Sequence, residues 1–295
     1  MEYFYDTNYI GCIKFSEVFI VEKKLGVEIE FTGVMRKDVV KALEYLFHTE
    51  AVEERSKTAE DGYMYHRLKD TNGDTWLVVR DRSIKAQVYE RQFLAGKLCD
   101  RFSIKDVTSQ EYMVEIVSPA LTSKSLPLLF TVVDVVKSLG GIVNSSCGIH
   151  VHIDKPDSVE DIYTLFKRFY VEQDNIFKFF DVQDFRLNKY CKPYVLEQGL
   201  DENLKFDTEE DFLNFLYENF AESKDNKRSI RYHALNFYSL LQHNTIEFRI
   251  FNSTLNRVEI AKILDWILHF VYTYEDYSNY VPVLGSILMN EIKEE

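Results

Sequence analysis

The sequence predicts an α+β fold built on a mostly antiparallel sheet. Three observations lead there. Stretches such as Leu25–Phe31, Cys147–Ile153 and Thr245–Phe251 alternate apolar and polar residues with period 2, the mark of half-buried strands. Amphipathic segments of unequal length separate them. An Asn72-Gly73 turn joins two more alternating runs as a hairpin. No Gly/Ser- or Pro-rich linker and no internal repeat divides the 295 residues, so one domain over 1–295 is expected.

Taken in order, a short edge strand is expected around Glu17–Val21. Leu25–Phe31 then sends Val27, Ile29 and Phe31 to one face and Glu28 and Glu30 to the other. Met35–Glu50 reads as a helix with Val39, Val40, Leu43, Leu46 and Phe47 as its apolar stripe. The charged Glu53–Gly62 is expected to be a loop. Met64–Leu68 and Thr75–Arg80 form the hairpin, which ends in the polar Asp81-Arg82-Ser83. Residues 84–109 read as an excursion from the sheet. Tyr112–Val117 is a strand with Met113, Glu115 and Val117 on one face, stopped by Ser118-Pro119.

A helix over Leu126–Leu139 tolerates Pro127 in its first turn and ends at Gly140-Gly141. After the histidine strand, Ser158 and Asp161 resemble a capping box opening a helix to Phe180. Residues 181–206 read as irregular and Glu210–Phe220 as an acidic helix. Arg231–Leu241 is expected to be a strand, with His243-Asn244 as the turn into Thr245–Phe251. There Glu247 and Arg249 share one face, and Ile246, Phe248 and Ile250 the other. A helix from Arg257 to about Tyr274 closes the fold.

A hydrophobic fraction of 46 % with 28 % charged residues allows a sizeable core, and an aromatic share of 15 % suggests a bulky one. The net charge of −13 argues against a nucleic-acid surface, which needs basic residues to displace counterions. It leaves room for a local basic pocket. Cys12, Cys99, Cys147 and Cys191 form no Cys-X-X-Cys pair, so a structural zinc site of that spacing is not expected. Glu2, Asp6, Lys14 and Glu17 interrupt the opening stretch, and no apolar run approaches the ~20 residues of a membrane helix. The expectation is a cytoplasmic protein with no membrane partner.

The residues that carry chemistry sit on the polar faces of these strands. In Cys147-Gly148-Ile149-His150-Val151-His152-Ile153, period 2 places both imidazoles together, where they suit a metal, a phosphate or one of each. Glu28 and Glu30 repel each other on one face, which is tolerable if they are solvated or if a cation lies between them. Glu115, between apolar neighbours, is costly unless paired or bound to a cation. Glu247 adds another acid; Arg249, Arg231 and Arg228 add fixed positive charge. Hard oxygen ligands favour Mg²⁺ or Mn²⁺, and arginine recognises carboxylate and phosphate. Cys147, beside a glycine on a strand, reads as a buried structural thiol.

These motifs, GVEIEF (Gly26–Phe31), CGIHVHI (Cys147–Ile153) and TIEFR (Thr245–Arg249), resemble in order those of glutamine synthetase-type carboxylate–amine ligases. Asp81-Arg82-Ser83, EIVSP (Glu115–Pro119) and RYHALNF (Arg231–Phe237) bring the chain closest to the amidoligase branch of that superfamily. The turn departs from that pattern, with Arg82 where related enzymes often have Gly. The resemblance implies a glutamine synthetase-like catalytic fold with a curved sheet and flanking helices. It implies ATP and Mg²⁺ or Mn²⁺ as cofactors, and a small-molecule, peptide or protein carboxylate and an amine as substrates.

In residue terms, the resemblance implies that Glu28, Glu30, Glu115, His150 and Glu247 hold cations. His152 would lie near the ATP phosphates, and Arg249 would bind the acyl or transferring phosphoryl group. Asn236, Arg231, Arg228, Asp81 and Ser83 would contribute to nucleotide binding. The expected activity is ligation through an acyl phosphate. A metal-dependent hydrolase and an inactive nucleotide-binding module are the competing readings. His48, His66, His233, His243 and His269 supply no recognisable further metal motif.

Overall fold

The structure, a computed structural model, describes residues 23–56, 62–94, 97–201 and 203–272, with the backbone alone for 91–94 and 97–101. The expected edge strand at 17–21 lies outside the described residues. Eight strands form one sheet in the order β2-β3-β4-β7-β1-β8-β10-β9, and every pairing is antiparallel. They are β1 (Leu25–Phe31), β2 (Val52–Arg55), β3 (Met64–Lys69), β4 (Thr75–Val79), β7 (Val114–Val117), β8 (Gly148–Asp154), β9 (Leu235–Asn236) and β10 (Thr245–Asn252). Between β4 and β7, β5 (Gln87–Leu94) and β6 (Lys97–Asp106) pair as a separate ribbon, the excursion expected of residues 84–109.

One face of the sheet is apolar because period 2 makes it so. Val27, Ile29, Phe31, Val78, Ile116, Ile149, Val151, Ile153 and Phe248 are all buried there. Helices cover that face: α1 (Arg36–Phe47), α2 (Leu126–Ser138), α3 (Val159–Phe179) and α7 (Arg257–Tyr272). Phe47 packs on Trp76, and Phe248 meets both Phe169 of α3 and Trp266 of α7. Each such side chain contributes about 1.5–3 kcal/mol through burial. The aromatic excess is core filling. Phe166 alone has ring contacts with Tyr194, Phe212, Phe215, Phe220 and Phe237. Among the described residues no helix is long and apolar enough to cross a membrane.

Side-chain caps open two helices, the first of them at the expected Ser158. Ser158 Oγ accepts from Asp161 N at 3.1 Å at the start of α3. Thr208 and Asp211 form a full capping box on α5 (Glu209–Phe220).

Four expectations are corrected. Glu53–Gly62 is not all loop: its first residues belong to β2, an edge strand whose charges discourage further pairing. Within 181–206, Asp184–Lys189 forms a short helix, α4. Gln110–Tyr112 is a 3₁₀ turn, so β7 starts only at Val114. Arg231–Leu241 is not one strand. A 3₁₀ helix occupies Lys227–Tyr232, β9 is two residues long, and α6 (Ser239–His243) follows. Asn236 Oδ1 accepts from Tyr238 N at 2.9 Å and bends the chain out of the sheet.

Candidate active site

Antiparallel register assembles the polar face. Directly opposed residues project to the same side of a sheet. Glu28 opposes His150, Glu30 opposes Glu115, and His152 opposes Gly26 on one side and Glu247 on the other. Glu247 in turn opposes Asn236. Five neighbouring strands therefore deliver acids, imidazoles and an amide to the face opposite the helices.

Two glycines make this approach possible. A Cβ on Gly26 would stand 3.3 Å from His152 Cβ. A Cβ on Gly148 would lie 2.3 Å from Nη2 of Arg186, whose guanidinium rests on that backbone. On β10 the register shifts between Phe248 and Phe251, so Arg249 and Ile250 together face His150. Strict alternation pairs Ile250 with Phe248 on the core face. The bulge instead sets Phe251 opposite Ile149 and against Phe180 and Trp266.

His150 lies at the centre. Its Nδ1 is 3.0 Å from Glu28 Oε2 and 3.6 Å from Glu247 Oε1, and its Nε2 is 3.9 Å from Glu30 Oε1. His152 Nε2 is 3.4 Å from Glu28 Oε1. Its Nδ1 meets Thr245 Oγ1 at 2.9 Å and Ser239 Oγ at 3.3 Å. Asn236 Nδ2 donates to Glu247 Oε2 at 2.6 Å, and Arg249 Nη1 pairs with Glu247 Oε1. The Gly148 N–H donates to Glu30 Oε2 at 2.6 Å.

The acids divide into two electrostatic classes. Burial opposes ionisation of Glu28, yet hydrogen bonds and charge from His150 and His152 hold its carboxyl well below the usual range. Glu247 is also lowered, because Arg249 and then His150 outweigh its burial. Glu30 is pushed up to about 8 by burial and by Asp81, with Arg186 and the Gly148 N–H only partly offsetting them. Glu115 is raised well above its ordinary value by burial and by the charges of Glu28, Asp81 and Glu30. Burial and Arg249 press His150 towards the neutral form, whereas Glu28 raises His152 against its burial.

This donor set fits a divalent cation. Two triads share His150: Glu28–His150–Glu247 and Glu30–Glu115–His150, each with ligand atoms within 4.8 Å of one another. Carboxylates crowded enough to hold each other's protons are relieved by a doubly charged ion, and an oxygen-rich set with one imidazole suits Mg²⁺ or Mn²⁺.

The remaining sequence-predicted residues spread outward. Asp81 is close enough to raise Glu30 and Glu115, and its Oδ1 accepts from Ser83 N at 2.5 Å. Tyr190 OH donates to Ser83 O at 3.4 Å, tying that turn to the Arg249 side. Arg228 and Arg231 sit on the 3₁₀ helix, Arg231 over the Tyr232 ring. Among the described residues no hydrogen bond or ion pair joins either to the acids. Cys147 is buried, its thiol pushed up to about 12 by that burial.

Sequence reasoning missed Arg186, which is 1 % exposed and donates Nη2 to Arg249 O at 3.0 Å. It also missed Ser239 and Thr245 behind His152, and His243, whose ring lies edge-on to His152 at 5.8 Å. A lone Arg in an irregular segment carried no signal. His243 sat in a turn, where ordinary solvation explains it.

A family model described as "Putative amidoligase enzyme" matches residues 22–271. Comparison with curated proteins and with solved structures gave no match.

Proposed function

The chain belongs to this amidoligase family, and from that premise we propose that it is an ATP- and Mg²⁺-dependent carboxylate–amine ligase that forms an amide or isopeptide bond through an acyl phosphate. The observation that supports this reading best is the convergence of Glu28, His150 and Glu247 from three strands, with Glu30 and Glu115 sharing the same imidazole.

A carboxylate is a poor electrophile, and phosphorylation turns one of its oxygens into a leaving group that an amine displaces. Catalysis is then mostly positioning and charge neutralisation. Glu28, Glu30, Glu115, His150 and Glu247 would hold the cations; bound there, Mg²⁺ neutralises phosphate charge. Arg249, oriented by Glu247 and by the carbonyl of Tyr190 at 3.5 Å, directs a permanent charge at the anionic reacting centre. Asn236 fixes Glu247. Thr245 and Ser239 hold His152 Nδ1, leaving Nε2 towards Glu28 and the phosphates. No nucleophilic side chain is required. A cleft closed to water protects the acyl phosphate from hydrolysis.

ADP release measured over a panel of acids and amines tests the reading. ADP formation that needs Mg²⁺, an acid and an amine together is expected. A thermal-shift scan separates the alternatives: stabilisation by ATP with Mg²⁺ beyond that by Mg²⁺ alone is expected, and no further gain from ATP over the metal favours a hydrolase. Absence of amine-dependent ADP formation overturns the ligase.

A further inference from the structure

The polar face does not end at the acids. Register carries it onward through β7, β4 and β3. Val79 opposes Glu115, Leu77 opposes Val117, and Arg67 opposes Leu77. Tyr65 follows Arg67 at period 2 and opposes Glu54. Glu28, Val117, Leu77 and Arg67 thus form one row across four adjacent strands. A cavity of about 430 Å³ opens at the far end of this row. Tyr63, Tyr65, Leu77 and Val79 line it, with Arg55 and Arg67 among its walls.

Its charge is opposite to that of the molecule. The chain carries −13 overall, yet two arginines and a single acid, Glu54, line this cavity, and Arg55 Nε donates to Gly62 O at 3.2 Å. The Glu54 carboxylate is occupied, taking the Tyr65 hydroxyl at 2.5 Å and one Arg67 N–H at 3.1 Å. A third guanidinium, that of the buried Arg80, lies 4.4 Å from the centre of the Tyr63 ring. Tyr63 reaches back to the acids: its phenol is raised by burial and then by the charge of Glu115.

We propose that this trough binds the far end of an acidic peptide substrate. One carboxylate of the peptide reacts at the acid cluster. A second carboxylate, two or three residues away, pairs with Arg67 and Arg55, while the chain between lies on Val117, Leu77 and Val79. The proposal rests on the ligase reading above and specifies its acid.

Length and charge support it. Glu28 and Arg67 stand three strand spacings apart, roughly 14 Å between backbones. Side chains stand roughly perpendicular to the sheet, so contact distances of about 2–3 Å at each end leave about 8–10 Å, the span of two or three extended residues. A free amino acid is too short. A nucleotide has the wrong polarity, because its charge lies beside the cations and its far end is a neutral base. Guanidiniums at the far end select a ligand that is anionic there.

Calorimetric titration of the full-length chain in Mg²⁺ tests this with three probes: acetyl-Asp-Gly-Gly, acetyl-Asn-Gly-Gly and free glutamate. The diacid tripeptide is expected to bind at least ~10-fold more tightly than either other probe, about 1.4 kcal/mol. Arg67→Gln, at an exposed position, removes that preference and leaves ADP affinity unchanged. Equal binding of both peptides, no binding of either, or an Arg67→Gln effect on ADP alone overturns the proposal. Failure of the ligase reading shows separately. A chain that prefers the diacid but forms no ADP with any amine retains the trough and loses the ligase. Amine-dependent ADP formation without peptide preference retains the ligase and loses the trough.

Discussion

His150 stands directly across from Glu28 in the β1–β8 register, with Nδ1 3.0 Å from Oε2. That contact helps to keep Glu28 ionised in a place where burial alone would protonate it.

Glu28→Gln keeps the side-chain volume and removes the charge. It is expected to lower ATP-dependent ligation by ~10²–10³-fold, the usual cost of a central electrostatic contact. The melting temperature should stay close to wild type, since the site lies outside the apolar core. Glu247→Ala should lower ligation similarly but also lower the melting temperature, because it leaves the buried Arg249 guanidinium without its partner. ADP release under saturating substrates measures both, and undiminished turnover in either variant would count decisively against the scheme.

Glu30 gives the metal-free protein a pH signature. Its carboxyl titrates near 8 in the fold and near 4.5 in the unfolded chain. Between those values the native state keeps a proton that the unfolded chain has released, so stability falls as pH rises. Glu115 and His152, both raised, act in the same direction. His150, pressed neutral, opposes them only below about 6.5. Melting curves without metal should therefore decline most clearly from about pH 6.5 to 8, and added Mg²⁺ should stabilise increasingly over that interval. A flat profile with no Mg²⁺ effect contradicts the cation site.

Gly148→Ala should be costly although it adds one methyl group. The new Cβ would fall on the Arg186 guanidinium, which has no room to retreat at 1 % exposure. A loss of ~1–3 kcal/mol is expected from denaturant titration. Gly26→Ala meets only a 3.3 Å contact with His152 Cβ. It should reduce activity more than stability, by tilting the imidazole.

Phe166→Ala removes the α3 ring against which Phe212 and Phe215 of α5 and Phe237, just after β9, pack. The expected destabilisation is ~3–5 kcal/mol by chemical unfolding. A value under half of that would mean that the cluster collapses to fill the space.

The strands that carry the acids were legible because their pattern is local. Val27, Ile29 and Phe31, or Ile149, Val151 and Ile153, alternate so regularly that only one register buries them. The convergence of Glu28, His150 and Glu247 follows from that register. What stayed hidden depends on distant partners. Two-residue β9 has no periodicity of its own and exists because Glu247 and Phe248 pair with it. Arg186 belongs to the site only through the backbone of Gly148, a contact that no spacing encodes. Arg231 was placed near the nucleotide by motif alone, and it lies on the 3₁₀ helix Lys227–Tyr232 rather than on a strand.

The irregularity in β10 sets a limit on how this segment can change length. The one supernumerary residue between Phe248 and Phe251 lets an acid-facing guanidinium and an inward phenyl ring coexist on one strand. Inserting one more residue there would turn everything downstream of it inside out, from Phe251 to the Ser253 hydroxyl that donates to the Glu30 carbonyl at 2.5 Å, whereas deleting Ile250 would restore even pleating with Phe251 still opposite Ile149. The register at this point survives the loss of one residue and not the gain of one.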